Sequence, residues 1–361
     1  MHETLGAGGA VRKAARELAS GAAVDGRARA EASGEISFET DPETRLPVGV
    51  SRYYAALAQT RDPDRDPIAA QFIPRREELE TIPYESGDPI GDQQYRVTER
   101  LIHHYHDRVL LLVNDRCATY CRHCFRRHFT GHGGGRLSDG QLEGACAYLR
   151  ATPAVKEILL SGGDPLMLSD EEIVLILRRL KEVDRDYIIR ICTRMPVVLP
   201  SRITEALASE LREFDSLWAV IHTNHPREIT AEFRLSVRRL LGAGVPVLNQ
   251  AVLLRGVNDD AATLEELFRG LVRAGVKPYY LFQGDLAAGT RHFRVSIERG
   301  IEIMRELRGR LSGVALPTYA VDLPGGAGKV PIEAALLRTE AEAYVFRGSD
   351  GGEHRYPREV G

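Results

Sequence analysis

The run Arg108-Val-Leu-Leu-Leu-Val-Asn114-Asp-Arg-Cys117-Ala-Thr-Tyr-Cys121-Arg-His-Cys124 joins an apolar segment to a short loop with three cysteines. The apolar segment has the near-continuous hydrophobicity of a strand that is buried on both faces of a parallel sheet. The loop supplies three thiolates, one fewer than a closed tetrahedral metal site or a four-cysteine iron–sulfur cluster needs. The run therefore predicts a strand followed by a cluster-binding loop, with one iron left open to a ligand from outside the protein.

Three other interpretations of the cysteine loop were weighed against iron–sulfur binding. Structural zinc would need a fourth cysteine or histidine, usually from a second pair, and only the isolated Cys146 and Cys192 lie elsewhere. A disulfide framework does not fit five cysteines in 361 residues. Incidental core cysteines seldom fall three in eight residues. Cluster ligation by Cys117, Cys121 and Cys124 is the favoured interpretation.

Composition excludes several classes of protein. The hydrophobic content of 43% and charged content of 27% are typical of a soluble globular protein. A net charge of −3 gives no reason to expect nucleic acid or an anionic membrane as partner. The sequence has no run of about 18 uncharged apolar residues and no signal-peptide apolar region. Together with the few cysteines, these features predict a cytoplasmic protein.

The chain divides into four predicted regions. Residues 1–35 are rich in Ala, Gly and charge and predict a disordered tail with one frayed helix near 11–20. Residues 36–100 predict an irregular, partly helical N-terminal region. A regular alternation of strands and helices follows over 101–325, and 326–361 predict a lysine-bearing loop and a short C-terminal segment.

The alternation is strict enough to place each element. Apolar runs predict strands at 108–114, 157–161, 187–193, 217–223, 247–253, 278–283 and 316–321. Patterns of helical period predict helices at 138–150, 169–183, 201–214, 230–243, 261–274 and 296–311. Ser138, Ser169, Ser201 and Thr230 are the predicted N-caps.

Polar candidates follow or end these strands, and this favours one α/β architecture. Repeated β–α units suit either a barrel or an open doubly wound sheet. In barrels the chemistry lies on loops after the carboxyl ends of the strands. A partial (β/α) TIM-like barrel with a partly helical N-terminal extension is therefore predicted. The residues on the predicted rim are the cysteine loop, Gly162, Gly163 and Asp164, His222, Gln250, Asp285 and Asp322.

A second glycine-rich run covers 322–329. It is not a phosphate-binding P-loop, because Leu323 occupies the first required glycine and Val330 follows the lysine. Lys329 on such a loop is a candidate Schiff-base amine. The alternative interpretation of Lys329 is a solvated surface lysine. The alternative interpretation of Gly162-Gly163-Asp164, taken alone, is an ordinary strand-to-helix turn.

The cysteine spacing resembles that of the radical S-adenosylmethionine (SAM) enzymes, and the chain as a whole resembles the lysine 2,3-aminomutase family within them. The resemblance implies an isomerase that uses a [4Fe-4S] cluster, SAM and pyridoxal phosphate (PLP) to move an α-amino group to the β-carbon. The matching segments are Tyr105-His-Asp-Arg108-Val, Cys121-Arg-His-Cys124-Phe-Arg126-Arg127, Ser161-Gly-Gly-Asp-Pro-Leu, Pro196-Val-Val-Leu-Pro-Ser-Arg-Ile-Thr204, Asn249-Gln250, Pro278-Tyr279-Tyr280, His292-Phe293-Arg294 and Pro324-Gly-Gly-Ala-Gly-Lys329.

The resemblance also implies roles for single residues. Lys329 matches the lysine that holds PLP, and Arg126 matches the arginine that binds the substrate α-carboxylate. Asp285 and Asp322 match the pair that holds the ε-ammonium of lysine. Two converging carboxylates repel each other unless a cation lies between them, so the pair predicts a distal positive charge on the substrate. The remaining implied cofactor contacts are Gly162, Gly163 and Asp164 for SAM, Tyr105 and Arg108 for PLP, and His222 and Gln250 for SAM or PLP.

Several alternatives stay open at this point. Phe125, Phe282, His104, Gln283 and Gly284 differ from the residues that the family has around its pocket. The same scaffold could act on arginine, ornithine or another basic amino acid, as an aminomutase or as a radical decarboxylase. A non-catalytic iron–sulfur protein is the alternative of a different class. An amino acid substrate, a flavodoxin- or ferredoxin-type electron donor and a possible homo-oligomer are the partners implied.

Overall fold

The computed structural model describes residues 46–80, 82–132, 134–332, 336–341, 343–347 and 352–357. The predicted tail 1–35 and its frayed helix lie outside these residues. Within the described ranges, no helix is long and apolar enough to cross a membrane.

The fold is built on a nine-stranded sheet whose spatial order follows the order of the chain, β1 to β9. Strands β2 to β8 pair parallel, whereas β1 pairs antiparallel with β2, and β9 pairs antiparallel with β8. The sheet curls into a half-barrel, as the sequence predicts. Its strands are β1 (Leu101–Tyr105), β2 (Arg108–Asn114), β3 (Glu157–Gly162), β4 (Ile188–Thr193), β5 (Leu217–Ile221), β6 (Val247–Val252), β7 (Lys277–Phe282), β8 (Thr318–Leu323) and β9 (Gly328–Pro331).

Helices connect successive parallel strands. Ser138, Ser169 and Thr230 each accept a hydrogen bond from a backbone N–H in the first helical turn, so these three predicted caps are confirmed. The helices are α1 (Arg52–Ala56), α2 (Asp139–Ala151), α3 (Asp170–Val183), α4 (Met195–Val198), α5 (Glu205–Leu211), α6 (Ala231–Gly242), α7 (Ala261–Arg273) and α8 (Ile297–Arg310).

The helix predicted from Ser201 is wrong at its start. Thr204 caps α5 by accepting from Leu207 N, whereas Ser201 lies in a 3-10 turn, Pro200–Arg202. Pro200 fits the first turn of that segment, and a separate short helix, α4, precedes it. Residues 195–211 therefore form three short elements: helix α4, the 3-10 turn and helix α5.

The sequence did not predict the edge strands β1 and β9 or a second, smaller sheet. The edge strand β1 has the sequence Leu-Ile-His-His-Tyr, and β9 is Gly-Lys-Val-Pro; both lack the continuous apolar run of a central strand. A separate antiparallel sheet contains β10 (Leu336–Thr339), β11 (Ala343–Arg347) and β12 (Glu353–Pro357). Lys329 lies in β9 rather than in a loop, and Asp322 lies inside β8 rather than after it.

Alternation along β2 shows how the sheet separates core from cavity. Val109, Leu111 and Val113 are buried in the main core together with the helices. Leu112, on the opposite face, belongs to a smaller cluster with Ile102, and Leu110 packs against it. Each fully buried aliphatic side chain contributes about 1.5–3 kcal/mol to folding. The convex face of the sheet packs against the helices and stabilises the fold, whereas the concave face lines the cavity.

Candidate active site

A cavity of about 550 Å³ opens on the concave side of the half-barrel. Every residue predicted for the site lines it. The residues that follow the carboxyl ends of the parallel strands meet there at one rim, whereas Tyr105, Arg108 and Lys329 come from β1, the start of β2 and β9. The lining includes Tyr105, Arg108, Cys117, Cys121, Cys124, Arg126, Gly162, Gly163, Asp164, His222, Gln250, Asp285, Asp322 and Lys329.

The cysteine loop is anchored by a buried ion-pair cluster beneath it. Arg122 is wholly buried and binds Glu78 through Nε at 2.9 Å and through Nη2 at 2.6 Å. Arg127 donates to the same carboxylate. Burial raises the pKa of Glu78, but the two guanidinium groups outweigh it and bring the pKa to about 2. The loop is thus fixed by side chains on either side of Cys124.

The three thiols suit a cationic metal cluster. Burial raises the pKa of Cys117 well above its usual range, and the neighbouring Asp164 carboxylate and the other two cysteines raise it further. Burial also raises the pKa of Cys124, followed by the effect of Cys121. The charge of each thiolate disfavours ionisation of the others, and bound iron ions would supply the compensating positive charge. The donor set therefore fits an iron–sulfur cluster.

The glycine turn after β3 is set by close backbone packing. Gly162 has φ of 116°, and a Cβ there would lie 2.2 Å from the Asn114 carbonyl oxygen. A Cβ on Gly163 would lie 2.3 Å from the Arg116 carbonyl oxygen. Only glycine allows the turn to sit against the strand that leads to the cysteine loop. Gly162, Gly163 and Asp164 all line the cavity.

Asp164 has a structural role within that turn. One carboxylate oxygen accepts from Leu166 N at 3.0 Å and from the Thr193 hydroxyl at 2.7 Å, and the other accepts from Arg194 N at 2.7 Å. Burial raises the pKa of Asp164, against the effect of these donors. Its predicted contact with SAM remains a prediction, and it would share the carboxylate with these three protein donors.

Lys329 lies across the β8–β9 pair from Asp322. Its Nζ is 3.2 Å from Asp322 Oδ2, 3.9 Å from the centre of the Phe282 ring and 5.0 Å from that of Tyr280. Its backbone N–H donates to the Tyr105 hydroxyl at 3.1 Å. Burial lowers the pKa of Lys329, while Asp322 opposes that shift. A half-buried amine of lowered pKa suits Schiff-base formation with an aldehyde such as PLP.

A second carboxylate faces this pair. Burial raises the pKa of Asp285 to about 7, and the charge of Asp322 raises it in the same direction. Lys329 and Arg126 lower it, but less strongly. Asp285 and Asp322 therefore form an acidic pair in one cavity, rather than the N-cap and loop carboxylate that were the alternative.

Arg126 is held rigidly at the cavity wall. Its Nε donates to Asp92 Oδ2 at 2.8 Å, and its Nη1 lies 3.4 Å from the Ser161 hydroxyl. The guanidinium packs over the ring of Phe125. With 8% of its surface exposed, Arg126 is not the surface ion pair that was the alternative interpretation. Asp92 is a site residue that the sequence pattern did not reveal.

Two more arginines line the wall near Lys329. Arg108 lies 3.9 Å from the centre of the Tyr105 ring. Arg190, which the sequence pattern also did not reveal, binds Glu157 at 2.5 Å and lowers the pKa of Lys329. Such guanidinium groups could hold the phosphate of PLP.

The remaining candidates lie on the other side of the cavity. His222 Nε2 donates to Asn224 Oδ1 at 3.1 Å, and burial followed by Arg194 lowers the pKa of His222 to about 4. Gln250 lies in β6. Cys192, expected in the core, lines the cavity, and burial raises its pKa to about 11. Cys146 is fully buried, as expected.

Comparison with known proteins gives consistent matches along the chain. Residues 111–268 match the family model described as Radical SAM superfamily, and residues 304–359 match the one described as Lysine-2,3-aminomutase. L-lysine 2,3-aminomutase of Clostridium subterminale is 44% identical over 85% of this chain and 74% of its own. Putative L-lysine 2,3-aminomutase of Treponema pallidum is 44% identical over 85% and 89%. Glutamate 2,3-aminomutase of Clostridioides difficile is 38% identical over 86% and 74%.

Proposed function

The chain belongs to the lysine 2,3-aminomutase family of radical SAM enzymes, and from this premise we propose that it moves the α-amino group of L-lysine to the β-carbon. The observation that carries the proposal is the shared cavity of the three cysteines, Lys329 and the Asp285–Asp322 pair. The reaction is an isomerisation, so the product contains the same atoms as the substrate.

Three groups would supply the reactive chemistry when bound: a [4Fe-4S] cluster and SAM generate the radical, and PLP carries the migrating nitrogen. Cys117, Cys121 and Cys124 would hold the cluster, leaving one iron for SAM. Lys329 would hold PLP until a substrate amine displaces it. Arg108 and Tyr105, in contact with each other, would also contact PLP.

The acidic pair supports a cationic substrate. Asp285 and Asp322 would bind the ε-ammonium of lysine, and that charge would relieve their mutual repulsion. A glutamate substrate would bring a third carboxylate into this region, which favours lysine over the substrate named for the glutamate 2,3-aminomutase relative. Arginine and ornithine also carry a distal cation and are the second candidates.

The opposite end of the substrate would be bound by Arg126. Its Nε donates to Asp92 and its Nη1 to the Ser161 hydroxyl, so the remaining Nη N–H groups would bind the α-carboxylate. Binding at both ends would fix the C2–C3 bond relative to the cysteine loop, because Arg126 is two residues beyond Cys124. The surrounding wall would exclude water and protect the radical.

A product assay tests the proposal. The full chain is reconstituted anaerobically with iron, sulfide, PLP and SAM, reduced with dithionite, and incubated separately with lysine, arginine, ornithine and glutamate. We expect β-lysine. β-Arginine without β-lysine would overturn the choice of substrate, and a decarboxylated product would overturn the aminomutase reaction. In the cell we propose a flavodoxin- or ferredoxin-type protein as electron donor.

A further inference from the structure

Arg194 joins the cysteine loop to a buried polar cluster. Its Nη1 donates a hydrogen bond to Cys121 Sγ at 2.7 Å. Its Nη2 donates to Glu228 Oε1 at 2.8 Å and to Gln71 Oε1 at 2.6 Å. The guanidinium carbon also lies 5.1 Å from the centre of the Tyr54 ring. One side chain therefore links a predicted cluster ligand to groups from three distant parts of the sequence.

This cluster holds the guanidinium in one orientation. Glu228, Gln71 and Tyr54 are wholly buried, and Arg194 is 7% exposed. The Tyr54 hydroxyl donates to Glu228 Oε1 at 2.5 Å, and Gln71 Nε2 donates to the same oxygen at 3.1 Å. The second oxygen of Glu228 accepts two backbone N–H groups at 2.6 and 3.0 Å. Arg194 Nε has no hydrogen-bond partner among the described residues, but the contacts of Nη2 restrict the guanidinium and direct Nη1 at the sulfur before a cluster binds.

A donor aimed at a ligand sulfur has a known physical effect. One-electron reduction adds negative charge to a cluster and its sulfurs, and hydrogen bonds to those sulfurs stabilise the reduced form. The positive charge of a guanidinium acts in the same direction, whereas the carboxylate of Glu228 opposes it. In the low-dielectric interior both effects are larger than in water.

We propose that Arg194 is a positioning residue that raises the reduction potential of the cluster through Cys121, while Glu228 fixes its orientation and limits the rise. The inference rests on the proposed function, since it needs a cluster on Cys121. No bond is made or broken: the cluster takes one electron from an external donor, and Arg194 changes only how favourable that uptake is.

The experiment is a redox titration of the reconstituted full chain without SAM, with dithionite as reductant and the electron paramagnetic resonance signal of the reduced cluster as readout. Arg194→Gln is expected to make reduction about tenfold less favourable, a fall of about 59 mV for a one-electron couple. Glu228→Gln keeps the length and shape of the side chain but removes the opposing charge, and is expected to raise the potential. Arg202→Gln is the matched control: Arg202 donates to the carbonyls of Leu166 and Leu168 and is expected to leave the potential unchanged.

The outcomes separate this inference from the proposed function. If the unaltered chain forms no reducible cluster, the proposed function fails. If it does and the potential of Arg194→Gln is unchanged, the inference alone is overturned. Should Arg194→Gln not retain iron, Glu228→Gln becomes decisive, and an unchanged or lower potential contradicts the inference.

Discussion

Lys329 and Asp322 face each other across the antiparallel pair β8–β9, with Lys329 Nζ 3.2 Å from Asp322 Oδ2. The carboxylate holds the amine towards its protonated form, while burial favours the neutral form. The same carboxylate is proposed to bind the substrate ammonium. Asp322 therefore affects both the amine that takes up PLP and the cation that follows it into the cavity.

The first prediction concerns Asp322→Asn. Removing the carboxylate lowers the pKa of Lys329 further, because the main opposition to burial is lost. The neutral amine that reacts with PLP is then available at lower pH. We expect the visible Schiff-base absorption on adding PLP to appear at lower pH than in the unaltered chain. Asp285→Asn should shift it in the same direction but less, and an upward shift in Asp322→Asn would contradict the prediction.

The second prediction concerns the pH dependence of substrate binding. Asp285 has a pKa raised to about 7, so it gains a proton as the pH falls through this value and loses its attraction for a cation. We expect the KM for lysine to rise below pH 7, by up to about tenfold per pH unit, because binding then requires release of a proton. Asp285→Asn should have a higher KM that no longer varies over this range. Identical pH profiles for the two proteins would refute the role of Asp285.

The third prediction is that Lys329→Ala abolishes the Schiff-base absorption of PLP. Alanine has no amine, while the cysteine loop is untouched, so the cluster content should be unchanged. Lys156→Ala is the matched control, since Lys156 is exposed and does not line the cavity. Absorption spectra and iron analysis of the three proteins check this, and retention of the PLP band in Lys329→Ala would sink the assignment.

The fourth prediction is that Arg126→Lys lowers kcat/KM roughly 10- to 100-fold, because a lysine ammonium cannot replace the guanidinium that pairs with both Asp92 and a carboxylate. The control is a ligand rather than a variant. Cadaverine has the two amines of lysine without its carboxylate, so its binding should be equal in both proteins. An equal loss for lysine and cadaverine would show that Arg126 acts on the cavity as a whole.

The fifth prediction concerns stability. Glu78→Gln leaves Arg122 and Arg127 without their buried counter-charge and is expected to cost about 3–5 kcal/mol of the free energy of unfolding. The depressed pKa of Glu78 stabilises the fold above its ordinary value of 4.5, and this contribution is lost as the pH falls towards about 2. Glu143→Gln, at an exposed ion pair, should leave the free energy of unfolding almost unchanged. Urea unfolding at several pH values measures both, and equal losses would contradict the prediction.

The central strands and most helix starts could be predicted because their signals are local. An apolar run such as that of β2 identifies a strand buried on both faces, and Ser138 or Ser169 marks a helix start through its own hydroxyl. The start of α5 could not be predicted from Ser201, because Thr204 three residues later offers the same capping chemistry. Strand β9 was also missed, since it exists only through its pairing with β8.

The residues of the candidate site also divide into those with a local sequence signal and those that depend on tertiary contacts. Cys117, Cys121 and Cys124 are recognisable because their spacing alone carries the chemistry. Asp92, Arg190 and Arg194 have no such signal, since each becomes part of the site only through a partner distant in sequence. Asp164 shows the reverse case: it stands in a recognisable motif, yet its carboxylate is engaged by protein donors from β4 and the turns around it.

The order of apolar runs and capping residues was sufficient to indicate a parallel α/β sheet, and the polar residues after its strands favoured a half-barrel. The cysteine spacing was sufficient to indicate an open iron. Both depend on residues close together in the chain. The placement of Lys329 against Asp322, the pKa of Asp285 near 7 and the hydrogen bond from Arg194 to Cys121 depend on burial and on partners that only folding brings together. Charges in a closed cavity interact through space rather than along the sequence, so the chemistry of this pocket emerged only with the tertiary structure.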